Sequence, residues 1–177
     1  MRLLAWCLMP NHVHFVVRPF GDGDLGSWMQ WLMTCHVRYH QRRYATIGRI
    51  WQGRFKAFPI QDDTHLLTVL RYVERNPVRA RLARRSVEWP WSSAVLRNPD
   101  SGEPVTVGSL LARSPVDLPQ PWADWVDRPL TDAELAVVRQ CAQRGRPYGD
   151  PAWIHGVVDR LGLYSTLRPR GRPSVRV

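Results

Sequence analysis

The period of the apolar positions changes several times along the chain, and each change marks an element. Leu3–Val17 is largely apolar and broken once, at Met9-Pro10-Asn11. The short apolar runs on either side of that turn signal predict an antiparallel hairpin, Leu3–Met9 with His12–Arg18. A polar, glycine-bearing loop, Phe20–Gly23, leads into a long helical pattern from Leu25 to Tyr44. Asp24 is its expected N-cap, and Trp28, Leu32, Cys35 and Tyr39 its core stripe, with Tyr39 and Tyr44 both structural. After a loop holding Gly48 and Gly53, a strand is predicted near Arg54–Ile60. The next helix, Asp62–Arg75, opens on two aspartates and is stopped by the restriction Pro77 places on Asn76. Its apolar stripe is Leu66, Leu67, Leu70 and Val73. A short helix is expected at Val78–Arg84. Pro90–Pro129 is rich in proline and tryptophan and weakly periodic, and reads as a wrap over the core or a partner surface. Helices from Thr131 or Asp132 to about Arg144, and over Pro151–Leu161, complete the chain. Trp153, Val157 and Leu161 share one face of the last. There is no long internal repeat.

Polar residues set into these elements carry the candidate chemistry. Side chains two apart on a strand project from the same face, so His12 and His14 stand together, with Val13, Phe15 and Val17 opposite. Two neighbouring imidazoles form a half-site for a divalent metal; the plain alternative is two partly exposed histidines on one strand. Tyr72 lies off the apolar stripe of its helix, with Asn76 one turn on and His65 about two turns back. A tyrosine so placed can reach a metal-bound phosphate while the amide helps hold the metal. Alternatively, Tyr72 is an amphipathic edge residue and Asn76 caps a helix opening with Pro77. His65 is a weaker candidate helper and fits a packing or solvated role better.

Charge narrows the partners. The 177 residues carry formal net charge +10, and Lys56 is the single lysine among the 25 basic side chains. Arginine pairs with phosphate through two parallel hydrogen bonds and stacks on bases, which suits single-stranded nucleic acid; genome base composition accounts for part of the bias. Arg71, Arg75, Arg79, Arg81, Arg84 and Arg85 crowd the sequence around Tyr72. Trp51–Phe58 interleaves Trp51, Phe55 and Phe58 with Arg54 and Lys56, as a backbone-tracking, base-stacking surface does, or as a core strand with one charged face. Pro169-Arg170-Gly171-Arg172-Pro173 matches the core of a minor-groove AT-hook, with a weaker echo at Arg144–Pro147; a plain basic tail is the alternative. Cys7, Cys35 and Cys141 are odd in number and far apart, which excludes a zinc ribbon and predicts reduced, buried thiols. No apolar run approaches a membrane span and no signal peptide is evident, so a cytoplasmic, nucleoid-associated protein is expected.

Four segments together, Ala5–His14, Trp51–Lys56, Tyr72–Ala80 and Trp89–Ser93, resemble the single-tyrosine His-hydrophobic-His nucleases. More narrowly they are similar to the IS200-like transposases and the branch associated with repetitive extragenic palindromes. Their order and spacing agree over about Leu3–Ala94, and the tail from Gly145 also resembles that branch. The resemblance implies an α+β fold: an antiparallel sheet packed with helices (a ferredoxin-like core) over residues 1–95, and a mostly helical and irregular extension over 96–177. It implies Tyr72 as nucleophile, His12, His14 and Asn76 as ligands of Mg²⁺ or Mn²⁺, and DNA contacts from Arg54, Lys56, Arg71, Arg75, Arg79, Arg170 and Arg172. The implied activity is cleavage and rejoining of single-stranded DNA at palindromic hairpins through a 5′-phosphotyrosine, by one chain or by two forming composite sites. The family carries a strand and a helix ahead of the segment matching Arg2–Met9. Here Met1 opens into that strand, so a shortened core is expected, with a thin sheet and an uncovered edge. A non-catalytic DNA-binding remnant is the alternative.

Overall fold

The computed structural model describes residues 1–97 and 110–168. Helices and an antiparallel sheet make it an α+β protein, as predicted. It forms two compact units, one of Met1–Phe55 with Leu67–Leu130, the other of Lys56–Leu66 with the described residues from Thr131 onward. Among the described residues, no helix is long and apolar enough to cross a membrane.

The first unit is built on the hairpin. Strand β1 (Arg2–Met9) pairs with β2 (His12–Arg18), setting Met9 opposite His12, Cys7 opposite His14 and Trp6 opposite Phe15. Leu4 is an extra residue in β1, a bulge between the Leu3/Val17 and Ala5/Val16 pairs. Opposite residues share a face, so the histidines stand in line with Cys7, Ala5 and Val16, all buried. On the other face Phe15 meets Trp28 edge-on, with ring centroids 5.3 Å apart.

The edge of β1 is covered. Leu8 N–H donates to the Trp91 carbonyl at 2.8 Å and Trp6 N–H to Ser93 Oγ at 3.0 Å, while the Trp89 indole donates to the Leu8 carbonyl at 2.9 Å. Farther along, Ala112 N–H bonds the Leu3 carbonyl and the Arg97 guanidinium the Leu4 carbonyl. Trp89–Ser93 therefore does much of what a third strand would do for the exposed donors and acceptors.

Helix α1 (Asp24–Tyr44) departs from its predicted packing. Gly23, at φ 84°, precedes the first turn in the position predicted for an aspartate cap. Asp24 lies inside the helix and its carboxylate accepts the N–H groups of Phe20 and Gly21, bracing the loop before it. Met29 is the buried residue of this helix, and the predicted stripe fails beyond Leu32: Cys35, Tyr39 and Tyr44 are exposed. The seven-residue β2 engages α1 near its start, through Phe15 on Trp28, and cannot follow a helix of 21 residues.

Helix α2 (Thr64–Glu74) buries Leu66, Val69, Leu70 and Val73, and α3 (Asn76–Arg79) follows after one residue. The short helix thus begins earlier than predicted and ends sooner, with Arg81 at φ 59° beyond it. Arg75 holds the N-cap position without a side-chain bond, so Asn76 is not the cap of a Pro77 helix. Then come α4 (Ser93–Leu96) and α5 (Trp122–Asp127).

Glu74, fully buried, joins these pieces. Its carboxylate accepts from Ser93 Oγ at 2.5 Å, Arg97 Nε at 2.9 Å and Trp122 Nε1 at 2.6 Å. Ser93 Oγ in turn accepts Trp6 N–H and Arg97 reaches the Leu4 carbonyl, so one carboxylate ties α2 to β1, α4 and α5.

In the second unit, helix α6 (Asp132–Arg144) starts at a reciprocal Thr131–Glu134 capping box and α7 (Pro151–Leu161) at Asp150, whose carboxylate accepts Trp153 N–H at 2.9 Å. A short α8 (Tyr164–Leu167) follows. The strand predicted near Arg54–Ile60 is absent: Ile60 makes a single parallel bridge to Tyr148. Pro59 has no N–H for a ladder; its carbonyl accepts Tyr148 N–H, Gln61 N–H returns the bond, and pairing stops there.

Removing one partner of a buried ion pair strands the other charge, at a cost of roughly 3–5 kcal/mol. Arg97→Met is expected to destabilise the protein by about that much, measured as the shift in urea unfolding, and Ser93→Ala by less.

Candidate active site

Glu74 sets the direction of Tyr72. Two residues apart on a helix lie about 200° apart, so a carboxylate turned into the core turns the tyrosine two residues earlier away from it. Helical bonding runs on through Arg75 N–H to the Arg71 carbonyl and Arg79 N–H to the Arg75 carbonyl. This carries Asn76 and Arg79 to the side of Tyr72, where α2 faces the end of β2.

There the structure brings together His12, His14, Tyr72, Asn76 and Arg79. The His12 and His14 rings stand edge to face with centroids 4.8 Å apart, and His14 meets Tyr72 in the same way at 5.7 Å. The Arg79 guanidinium lies 5.5 Å from the Tyr72 ring centroid, within cation–π range, and donates to Asn76 Oδ1 at 2.5 Å. His12 Nδ1 is 2.7 Å from Asn11 Oδ1; because that oxygen only accepts, the proton sits on Nδ1 and Nε2 keeps its lone pair.

The surroundings disfavour the charged form of both imidazoles. Burial, then His12 and Arg79, pushes His14 down to about 4. Burial and Arg79 lower His12 as well. His14 Nε2 is buried and has no hydrogen-bond partner, and an orphaned nitrogen of this kind is costly unless something binds it. Neutral imidazoles with free lone pairs fit a divalent metal. Asn76 fits less simply: it is buried, its oxygen already accepts from Arg79, and a metal would take the remaining lone pair. Among the described residues, no group of three His, Cys, Asp or Glu side chains could hold a metal, so the candidate set is limited to two imidazoles and an amide.

The other expected residues lie elsewhere. The Arg71 guanidinium stacks on Trp125 at 4.6 Å, and Arg75 Nε donates to the Asp127 carbonyl at 3.1 Å. Arg85 is tied to Asp124 and Asp127. These arginines hold α5, and among the basic side chains named here Arg79 is the one beside Tyr72. Arg54 and Lys56 are exposed, in irregular chain. Arg170 and Arg172 lie outside the described residues. His65 is bonded to Asp63 at 2.7 Å and stands edge-on to Tyr148, a packing role. Glu74, Ser93, Arg97 and Trp122 support the site without having been singled out in the sequence. A signal for Glu74 existed, since it follows Leu70 by four residues and so falls on the apolar stripe, where a carboxylate must find partners.

The depressed His14 has a consequence for stability. Unfolded histidine titrates near 6.5, so below that pH the unfolded chain takes up a proton that folded His14 refuses. Stability is therefore expected to fall as pH drops from about 6.5 towards about 4, by on the order of 2–3 kcal/mol. Chemical denaturation at several pH values checks this, and His14→Gln is expected to flatten that part of the profile.

Residues 1–76 match the family model described as IS200-like transposase. The REP-associated tyrosine transposase of Escherichia coli (strain K12) is 26% identical over 91 residues, which make up 50% of this chain and 52% of that protein. The chain thus spans about half the length of the curated relative it matches. No solved structure matches. The matched segment carries both histidines, the tyrosine and the asparagine of the assembled cluster, and it is similar to the IS200-like transposases.

Proposed function

We propose that this chain is a transposase-type DNA nuclease and strand transferase that acts on single-stranded palindromic hairpins with Tyr72 as nucleophile. The observation that carries the reading is the edge-on contact of His14 with Tyr72, which sets a neutral imidazole with an unpartnered nitrogen beside a phenol. His12 and His14, with Asn76 as third ligand, would hold Mg²⁺ or Mn²⁺; when bound, the ion polarises a phosphodiester oxygen and stabilises charge that develops on it. The Tyr72 oxygen gives its proton to water and forms a bond to phosphorus, the bond from phosphorus to the 3′ oxygen breaks, and that oxygen takes a proton from water and leaves as a 3′-hydroxyl. The strand stays attached through a 5′-phosphotyrosine, and attack by a 3′-hydroxyl reverses the step. Arg79, beside the phenol ring, supplies positive charge where the phosphate must sit. A catalytic core of residues 1–95 with residues 96–177 as an extension belongs to the same proposal, as do the DNA contacts from Arg54, Lys56, Arg170 and Arg172.

A second reading, a DNA binder without catalysis, is favoured by one observation: Arg79 already occupies the oxygen of Asn76. The two readings separate in one experiment. Purified protein with labelled single-stranded hairpins and Mn²⁺ is expected to give a denaturation-resistant protein–DNA band that disappears with Tyr72→Phe and with chelator and survives Tyr39→Phe. Salt-sensitive binding without a band selects the binder.

A further inference from the structure

From Leu25 to Gln61 the sequence has no aspartate or glutamate, the longest such stretch in the chain, and it includes Arg38, Arg42, Arg43, Arg49, Arg54 and Lys56. The C-terminal half of α1 runs through it. There four rings and a guanidinium form a continuous row. Trp51 lies 4.9 Å from His36, His36 6.1 Å from His40 and His40 4.7 Å from Tyr44, centroid to centroid, and the Arg43 guanidinium sits 5.6 Å from the Tyr44 centroid. His36, His40 and Tyr44 are spaced by four residues and share one face of the helix. A row of rings usually marks a core. This one lies at the surface: His36 is exposed and Tyr44 is 61% exposed, His40 and Trp51 are half-buried, and the buried residue of α1 is Met29, nearer its start.

We propose that this row is a stacking platform for the unpaired bases of a single-stranded nucleic acid, with the surrounding arginines receiving its phosphates. Rings repeating every four helical residues recur about every 6 Å along the axis. Successive nucleotides in one strand of a duplex rise about 3.4 Å. The rings, 4.7 to 6.1 Å apart, are spaced wider than that rise, which suits unpaired bases splayed apart and open to stacking. Every base offers a flat face, so the platform holds a strand with little regard to sequence. It shares no residue with the cluster around Tyr72, uses no metal, and stands whether or not Tyr72 is a nucleophile.

The test is fluorescence anisotropy with the full chain in EDTA. The probes are a labelled oligothymidylate of about 12 nucleotides, an abasic strand of the same length, and a duplex. The double variant His40→Ala/Tyr44→Ala is expected to bind the oligothymidylate roughly tenfold or more weakly, with affinity for the abasic strand, affinity for the duplex and the salt dependence unchanged. Tyr44→Phe, which keeps the ring, is expected to bind as the parent does. An unchanged affinity for the oligothymidylate, or an equal loss on all three probes, overturns the proposal. If the double variant fails to fold, Tyr44→Ala alone, at a mostly exposed side chain, decides in the same way.

Discussion

One buried carboxylate holds the first unit in register. Glu74 is wholly removed from water, and a lone charge there would cost several kcal/mol; three short hydrogen bonds, one from a guanidinium, offset that. The partners are not local. Ser93 and Arg97 lie in the tryptophan-rich stretch and also bond the β1 backbone, and Trp122 belongs to α5. A two-stranded sheet buries little by itself. Here two of the side chains that satisfy the carboxylate, Ser93 and Arg97, also bond the edge of β1, so the covering of the sheet and the orientation of α2 are linked.

The candidate site depends on that orientation. Glu74 directed inward leaves Tyr72 directed outward, and the helical bonding through Arg75 brings Arg79 round to the phenol and to Asn76. The hairpin supplies the other half. Because His14 lies opposite the buried Cys7, its ring stands at the margin of the core, where burial removes its proton without sealing it away from Tyr72. Two imidazoles, a phenol and one arginine are thereby gathered by three elements, β2, α2 and α3, distant in sequence.

Positive charge is divided by role, which neither its total nor its spacing foretold. Arg71, Arg75 and Arg85 are spent on α5, through a ring face, a carbonyl and two aspartates. Arg79 stays at the tyrosine, and the acid-free stretch through α1 keeps its cations at the surface beside a row of rings. An arginine-rich chain thus uses the same side chain as brace, as site residue and as surface charge.

Local rules determined a good deal. The hairpin, the pairing of His12 and His14 on one face, the Thr131–Glu134 box and the Asp150 cap all follow from residues a few positions apart, where sterics and short hydrogen bonds decide. Other features were legible only in three dimensions. Periodicity marks α1 as amphipathic, but its exposure beyond Leu32 depends on the short reach of β2. Pro59 weakened the predicted third strand, yet only the fold shows Trp89–Ser93 lying along β1. An arginine's number near Tyr72 does not say which way it points; that is settled by where Asp127 and Trp125 come to rest. Partners distant in sequence, chosen by the need to satisfy buried charge, carry no local signature.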